Sequence, residues 1–195
     1  MRLSFSRSIP FMLSFALAMS AVAVAQEGGA RTVFLVRHAE RASAAPDSLL
    51  SPAGQKRAEC LARTLRDAGI KQIYISDVKR TEQTAAPLAT ALKIKPTVVP
   101  AKDPSTLIRD IAYGAQQGNA LVVGHSDTLP FVLARLKAGT VTIGDNQYDQ
   151  LFVVNITDGI ASPATTLYYC DCSAAGAAPA PAHKATPPKK QMKRP

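Results

Sequence analysis

Tryptophan is absent from the 195 residues, cysteine and histidine occur three times each, and aromatic residues make up only 6%. Three cysteines are too few for the cross-linked framework of small, core-poor secreted folds. Acidic residues are missing altogether from residues 1–25 and 173–195. The net charge of +9 therefore divides unevenly: +2 and +5 fall on those ends, while residues 26–172 carry 16 Lys/Arg against 14 Asp/Glu. A basic excess confined to the ends is not the basic face of a DNA- or RNA-binding domain, so no nucleic-acid partner is expected. Hydrophobic residues at 47% and charged residues at 19% exclude wholesale disorder, collagen and coiled coil. They allow one domain that folds unaided.

The first 25 residues read as a signal peptide. Arg2 and Arg7 precede an uncharged stretch from Ser8 to Gln26, apolar through Phe11, Met12, Leu13, Phe15 and Leu17 and ending in Ala23-Val24-Ala25. This pattern predicts export with cleavage before Gln26. An uncleaved anchor is the alternative, because the uncharged run approaches spanning length. The Ala-rich end favours cleavage, hence no stable membrane insertion of the mature chain. The destination is the periplasm if the source is Gram-negative and otherwise the medium. Residues 173–195 are mainly Ala, Pro and Lys, a disordered basic tail that is solvated by default and free to contact anionic surfaces. His183 belongs to it and is given no role.

Between these ends, over 26–172, strand and helix patterns alternate. Thr32–Val36 is a short apolar run, as a buried parallel strand requires. Ser51-Pro52 is an N-cap followed by Pro at the first helical position, with Ala58, Leu61, Ala62 and Leu65 on one face and Gly69 as the C-terminal stop. Gln72–Ser76 is the next strand, and Ala85, Leu88, Ala89 and Leu92 mark a helix that Pro87 should kink or delay. Pro96–Val99 reads as a short strand. Asp103-Pro104 opens a helix carrying Leu107, Ile108, Ile111 and Ala115 inward. Ala120–Gly124 is another buried strand, followed by a helix through Leu129, Val132, Leu133 and Leu136 with Asp127 as its cap. Gln150–Ile156 and Thr165–Cys170 are late strands with no helix between them. The expected fold is α/β: a three-layer α/β/α sandwich around a mostly parallel sheet, mixed if the last strands pair antiparallel. Ligands of such sheets collect beyond the carboxyl ends of the strands.

Three strand ends carry unusual residues: Arg37-His38-Ala39-Glu40-Arg41, Ser76-Asp77-Val78-Lys79-Arg80, and Val123-Gly124-His125-Ser126-Asp127. Taken singly, each is an ordinary loop. Together they put two imidazoles and two guanidiniums on one edge of one sheet, and crowded cations cost stability unless an anion joins them. Phosphoryl transfer suits such a set. Guanidiniums match phosphate oxygens with paired N–H donors. A neutral imidazole is a nucleophile, and a second one nearby should be driven toward the opposite protonation state and donate to a phosphate oxygen.

Leu35-Val36-Arg37-His38-Ala39-Glu40 resembles the Arg-His-Gly signature of the histidine phosphatase superfamily, the phosphoglycerate mutase-like group. Leu50-Ser51-Pro52-Ala53-Gly54 is similar to its Leu-Thr-x-x-Gly helix start. Ser76 to Ala85 is similar to its Ser-x-x-x-Arg-x-x-Gln-Thr-Ala segment, and Val123-Gly124-His125-Ser126 to its second-histidine strand. The four come in family order. The resemblance implies a catalytic set of His38, Arg37, Arg80 and His125, with His38 the nucleophile that becomes phosphohistidine. Arg37, Arg80 and His125 would bind the phosphate, and no metal or organic cofactor is implied.

The chain departs from the pattern in three places. Ala39 stands for Gly, which is tolerable if the backbone there avoids φ > 0. Ala44 stands where many members place Asn. The family's acids, a Glu in an insertion after the Arg80 segment or an acid directly after the second histidine, have no counterpart here: Asp103 and Asp110 are the acids of the compact stretch, and Ser126 follows His125. Glu40, Glu82, Asp103 and Asp127 remain candidates, against capping for Asp103 and Asp127, a solvated face for Glu82 and pairing with Arg41 for Glu40. No general acid is assigned.

The expected function is a metal-independent phosphatase acting on a phosphomonoester or phosphoramidate. Its partner would be a phosphorylated small molecule or a phosphorylated surface glycan or protein. Mutase chemistry is disfavoured by export and by the compact core. The rival reading is a non-catalytic phosphate- or polyanion-binding protein of the cell envelope. Cys60 can pair with Cys170 or Cys172, or those two can join, leaving one thiol over. The outer pocket would be lined by the loops Ala42–Leu49 and Gly139–Asp149.

Overall fold

The computed structural model describes residues 30–114 and 118–170. The expected signal peptide, Ala115, Cys172 and the basic tail lie outside the described residues.

Strand β1 (Arg31–Arg37) leads into α1 (Pro52–Leu65), β2 (Ile70–Ser76), α2 (Lys79–Leu92), β3 (Thr97–Val99), α3 (Ser105–Tyr113) and β4 (Asn119–Gly124). Helix α4 (Thr128–Arg135) and strands β5 (Gln150–Thr157), β6 (Ile160–Ala161) and β7 (Thr165–Tyr168) complete the order. The sheet runs β3-β2-β4-β1-β5-β6, with β7 also on β5. The first four strands are mutually parallel, and β5, β6 and β7 pair antiparallel. The sheet is therefore mixed.

Both faces of the sheet are apolar, as parallel strands with helices on either side require. Val33 and Leu35 of β1 and Ala120 and Val122 of β4 join a core with Leu107, Ile111, Leu129 and Leu133 of α3 and α4. Val36, Leu121 and Val123 face the other way, onto Leu61 and Leu65 of α1 and Ala85 and Leu88 of α2. Leu35, Leu61, Leu88, Leu121 and Leu133 are fully buried, each stabilising the fold by about 2 kcal/mol through area removed from water.

The helix signals hold with shifts of a residue or so. Ser51 caps α1 by accepting from Gly54 N at 3.1 Å. The helix stops at Leu65, and Gly69, at φ 66°, closes the turn four residues on. Pro87 lies inside α2 without ending it, so its ring only removes one bond of the ladder. The helix ends at Lys93, left-handed at φ 57°, whose N–H bonds Ala89 O and Thr90 O. Asp103 accepts from Ser105 N at 3.0 Å, so α3 begins one residue later than expected. Asp127 caps α4, accepting from Thr128 N at 2.8 Å. Cys170, at φ 53°, lies past the end of β7, two residues short of the expected strand length.

Strand order decides where the chemistry falls. The chain winds from β1 out to β3 and returns through α3 to insert β4 between β2 and β1. The carboxyl ends of β1, β4 and β2 therefore lie side by side, where open α/β sheets hold ligands.

Candidate active site

Arg37 pairs with Gly124 in the β1–β4 register, and His38 N donates to Gly124 O at 2.9 Å. The ladder thus extends one residue past β1, which sets His38 beside His125. Their ring centroids are 5.3 Å apart with planes inclined at 61°. Both rings are buried.

His38 Nδ1 lies 2.8 Å from Ala39 O. A carbonyl only accepts, so Nδ1 carries the hydrogen and Nε2 keeps its lone pair. Burial lowers the pKa of His38 to about 4. The Ala39 bond opposes that shift, and the charges of His125, Arg80 and Arg37 add to it. His38 is thus an uncharged imidazole at neutral pH.

His125 is held from both sides. Its Nδ1 is 3.4 Å from Arg80 Nη2, and since guanidinium has no acceptor, Nδ1 accepts. Its Nε2 then donates to Ser76 Oγ at 2.8 Å. Ser76 Oγ lies 3.0 Å from Thr81 Oγ1, which donates to Val78 O at 2.8 Å. Burial first and Arg80 second lower the His125 pKa to about 4, with Asp127 and Asp77 opposing. Both rings are thus neutral, and their proximity by itself does not create the expected opposite protonation states. The same burial acts on both rings, and the guanidiniums depress both.

The two arginines share one feature. Among the described residues, Arg37 Nε and Arg80 Nε are buried without a hydrogen-bond partner. Such a group costs about 1–3 kcal/mol when left unmet, more when charged. Arg37 Nη1 donates to Gly144 O at 2.8 Å and Asp145 O at 2.9 Å, with Gln147 O at 3.3 Å. Its guanidinium carbon sits 4.3 Å from the Tyr148 ring centroid. Arg80, in the first turn of α2, donates from Nη1 to Pro46 O at 2.6 Å. Burial, followed by nearby Arg41, lowers its pKa.

The motif residues around this set bind its elements together. Thr84 Oγ1 accepts from Ala39 N at 2.9 Å and donates to Arg80 O at 2.7 Å. Gln83 Oε1 accepts from Leu50 N at 2.8 Å, and Ser51 N donates to Glu40 O at 2.9 Å. A Cβ on Gly54 would overlap the Glu40 carbonyl, so α1 needs glycine there to approach the segment that follows His38. Ala39 is fully buried and is not among the residues with positive φ, so its Cβ is accommodated. Ala44 is exposed in the loop closed by the Arg41–Leu50 bridge, whose Pro46 carbonyl holds Arg80.

The acid candidates separate by their contacts. Glu40 pairs with Arg57, not Arg41: Arg57 Nε and Nη2 reach its carboxylate at 2.7–3.0 Å. Arg57 Nη1 also donates to Cys170 O at 3.0 Å. Asp103 is engaged by Ser105, and Glu82 is exposed on α2. Asp127 caps α4, yet its charge acts on both His125 and Arg80. Asp77, not among the four, also acts on His125 while accepting from Ala101 N at 3.1 Å. Cys60 pairs with Cys170, which settles the cysteine alternatives. Tyr148 lies in the loop Gly139–Asp149 expected to line the outer pocket, but neither it nor Arg57 is singled out by the sequence, because nothing local shows which strand ends they meet. Among the described residues no cluster of His, Cys, Asp and Glu could hold a metal ion.

Residues 33–102 match the family described as the histidine phosphatase superfamily (branch 1). The curated Probable phosphoglycerate mutase GpmB of Yersinia enterocolitica is 39% identical over 70 residues, 32% of this chain and 33% of that protein. The chain thus spans about a third of the length of that relative. Among solved structures, the protein histidine phosphatase SixA complexed with tungstate superposes with TM-score 0.59 at 20% identity, covering 70% of this chain and 96% of that one. The phosphoglycerate mutase of Bacillus anthracis gives TM-score 0.57 at 17% identity, covering 73% and 94%. At these identities the superpositions speak for the fold. Residues 33–102, which carry the first three of the four motif segments, thus match the histidine phosphatase superfamily (branch 1), and the chain shares the fold of these solved structures.

Proposed function

We propose that the chain is a phosphatase that hydrolyses a phosphomonoester or phosphoramidate through a phosphohistidine at His38. The observation that carries this reading is His38 itself: an imidazole kept neutral by burial, with Nδ1 tied to Ala39 O and Nε2 free, beside two guanidiniums with unmet buried N–H groups. Nε2 attacks phosphorus, and the bond from phosphorus to the leaving oxygen or nitrogen breaks with its electron pair. Arg37 and Arg80 bind the equatorial oxygens, where charge develops. The dianion offsets the charges that depress His125, which then takes a proton and donates to the same group. Water attacks the phosphohistidine, releasing inorganic phosphate and restoring neutral His38.

The acid candidates are held in other contacts or exposed, Glu40 by Arg57, Asp103 by Ser105 and Asp127 at the α4 cap, which favours substrates whose leaving group needs little protonation. A phosphoramidate fits this, and the likeness to a protein histidine phosphatase supports it. The compact β3–α3 connection supports a hydrolase over a mutase. We further infer export, supported by the Cys60–Cys170 disulfide, since disulfides persist in oxidising compartments.

Rapid mixing with labelled phosphoramidate or aryl phosphate, then quenching, should trap an acid-labile, base-stable adduct on His38. Phosphate should be released over many turnovers, unchanged within twofold by EDTA. Stoichiometric binding without turnover would establish the polyanion-binding reading instead.

A further inference from the structure

Arg37 has five N–H hydrogens on three nitrogens. Nη1 is consumed by the carbonyls of Gly144, Asp145 and Gln147. Nε is buried without a partner. The fork left over is the Nε–Nη2 edge, the geometry that grips two oxygens of one phosphoryl group. A guanidinium is free to rotate about its stem, so something must keep that edge turned to the ligand. Two constraints do so in this structure. The carbonyls fix the opposite end, and the Tyr148 ring covers one face with Cζ 4.3 Å from its centroid. The same ring lies 6.1 Å from the His38 ring, so the face it covers borders the nucleophile. Gly144 N donates to Gln147 Oε1 at 2.7 Å and Gln147 N to Gly144 O at 3.1 Å, which folds the loop so that its carbonyls converge. Tyr169 N donates to Asp149 O at 2.9 Å and anchors the end of the loop.

We propose that Tyr148 is a positioning residue: stacked on Arg37 and seconded by the carbonyls of residues 144–147, it presents the Nε–Nη2 edge of that guanidinium to the phosphoryl group. This deepens the phosphatase reading and rests on it. A cation–π contact at a desolvated site is worth roughly a three- to thirtyfold change in equilibrium.

The test uses orthovanadate as a phosphoryl mimic, its dissociation constant measured by calorimetry on the full chain, with melting temperature recorded for each variant. Tyr148→Leu should weaken vanadate three- to thirtyfold at a melting temperature within a few degrees of the parent. Tyr148→Phe keeps the ring face and should recover affinity to within twofold. In an Arg37→Lys background, where the planar fork is already gone, Tyr148→Leu should add less than twofold. A full additional loss there would mean that Tyr148 contacts the ligand itself, and unaltered affinity in Tyr148→Leu would mean that Arg37 needs no such support; either overturns the proposal. If the parent protein binds no vanadate, the phosphatase reading fails along with the inference, whereas binding with the wrong variant pattern sinks the inference alone.

Discussion

Burying two facing imidazoles beside two guanidiniums has a measurable consequence in acid. His38 and His125 each fall from 6.5 to about 4 in the folded protein. A base whose pKa is lower folded than unfolded binds its proton preferentially in the unfolded chain. Its contribution to stability is therefore complete above pH 6.5 and is lost as the pH falls from 6.5 through 4. A displacement of about 2.5 pH units corresponds to about 3.4 kcal/mol per ring. Halved for the solvent that screens the mouth of the site, the pair is worth about 3 kcal/mol. Urea unfolding at pH 7, 6, 5 and 4 should show this loss in the parent protein. His38→Asn/His125→Asn, which removes both titrating rings, should lose about 3 kcal/mol less over the same interval. Carboxylates contribute equally to both proteins, so the difference isolates the imidazoles. A direct check is the NMR titration of the chain's three histidines, two of which should titrate near pH 4. Parallel stability curves for the two proteins, or only midpoints near 6.5, would refute the reasoning.

His38→Ala should lower turnover by at least about a thousandfold, measured as phosphate release, and a loss below about tenfold would remove His38 from the nucleophile role. Arg57→Ala leaves the largely buried Glu40 carboxylate without its bidentate partner, so urea unfolding should show a cost of about 3 kcal/mol. Cleaving Cys60–Cys170, which closes a loop over a separation of 110 residues, should cost about 4 kcal/mol in urea unfolding with and without dithiothreitol. Gly54→Ala pushes a methyl group into the Glu40 carbonyl and should destabilise by about 1–3 kcal/mol, lowering the melting temperature and phosphate release together.

Some of this protein was written in local order. Ser51-Pro52 announced α1, Asp103-Pro104 announced α3 to within one residue, and the apolar runs at 32–36 and 120–124 announced two strands buried on both faces. Caps, proline and hydrophobic period act within a few residues, so a linear reading captures them. The four motif segments were legible for the same reason: each is a short string at the end of an element. The misplaced details were also local contests. Pro87 was carried by a helix that Leu88 and Ala89 bury against the sheet, and packing outweighed the lost bond.

Which strand ends meet was decided by the tertiary structure. Inserting β4 between β2 and β1 sets His125 against His38 and gives Ser76 and Arg80 to the same ring. The partners of Glu40 and Arg37 come from chain segments far away: Arg57 and the carbonyl of Cys170 on one side, and residues 144–148 on the other. Protonation follows the same rule, since burial that depends on every packed layer left both imidazoles neutral. The amino-acid order specifies which chemical groups stand at the ends of the elements. Their distances, charges and free lone pairs arise only when the sheet closes, because electrostatics and hydrogen bonding depend on separation in space, not along the chain.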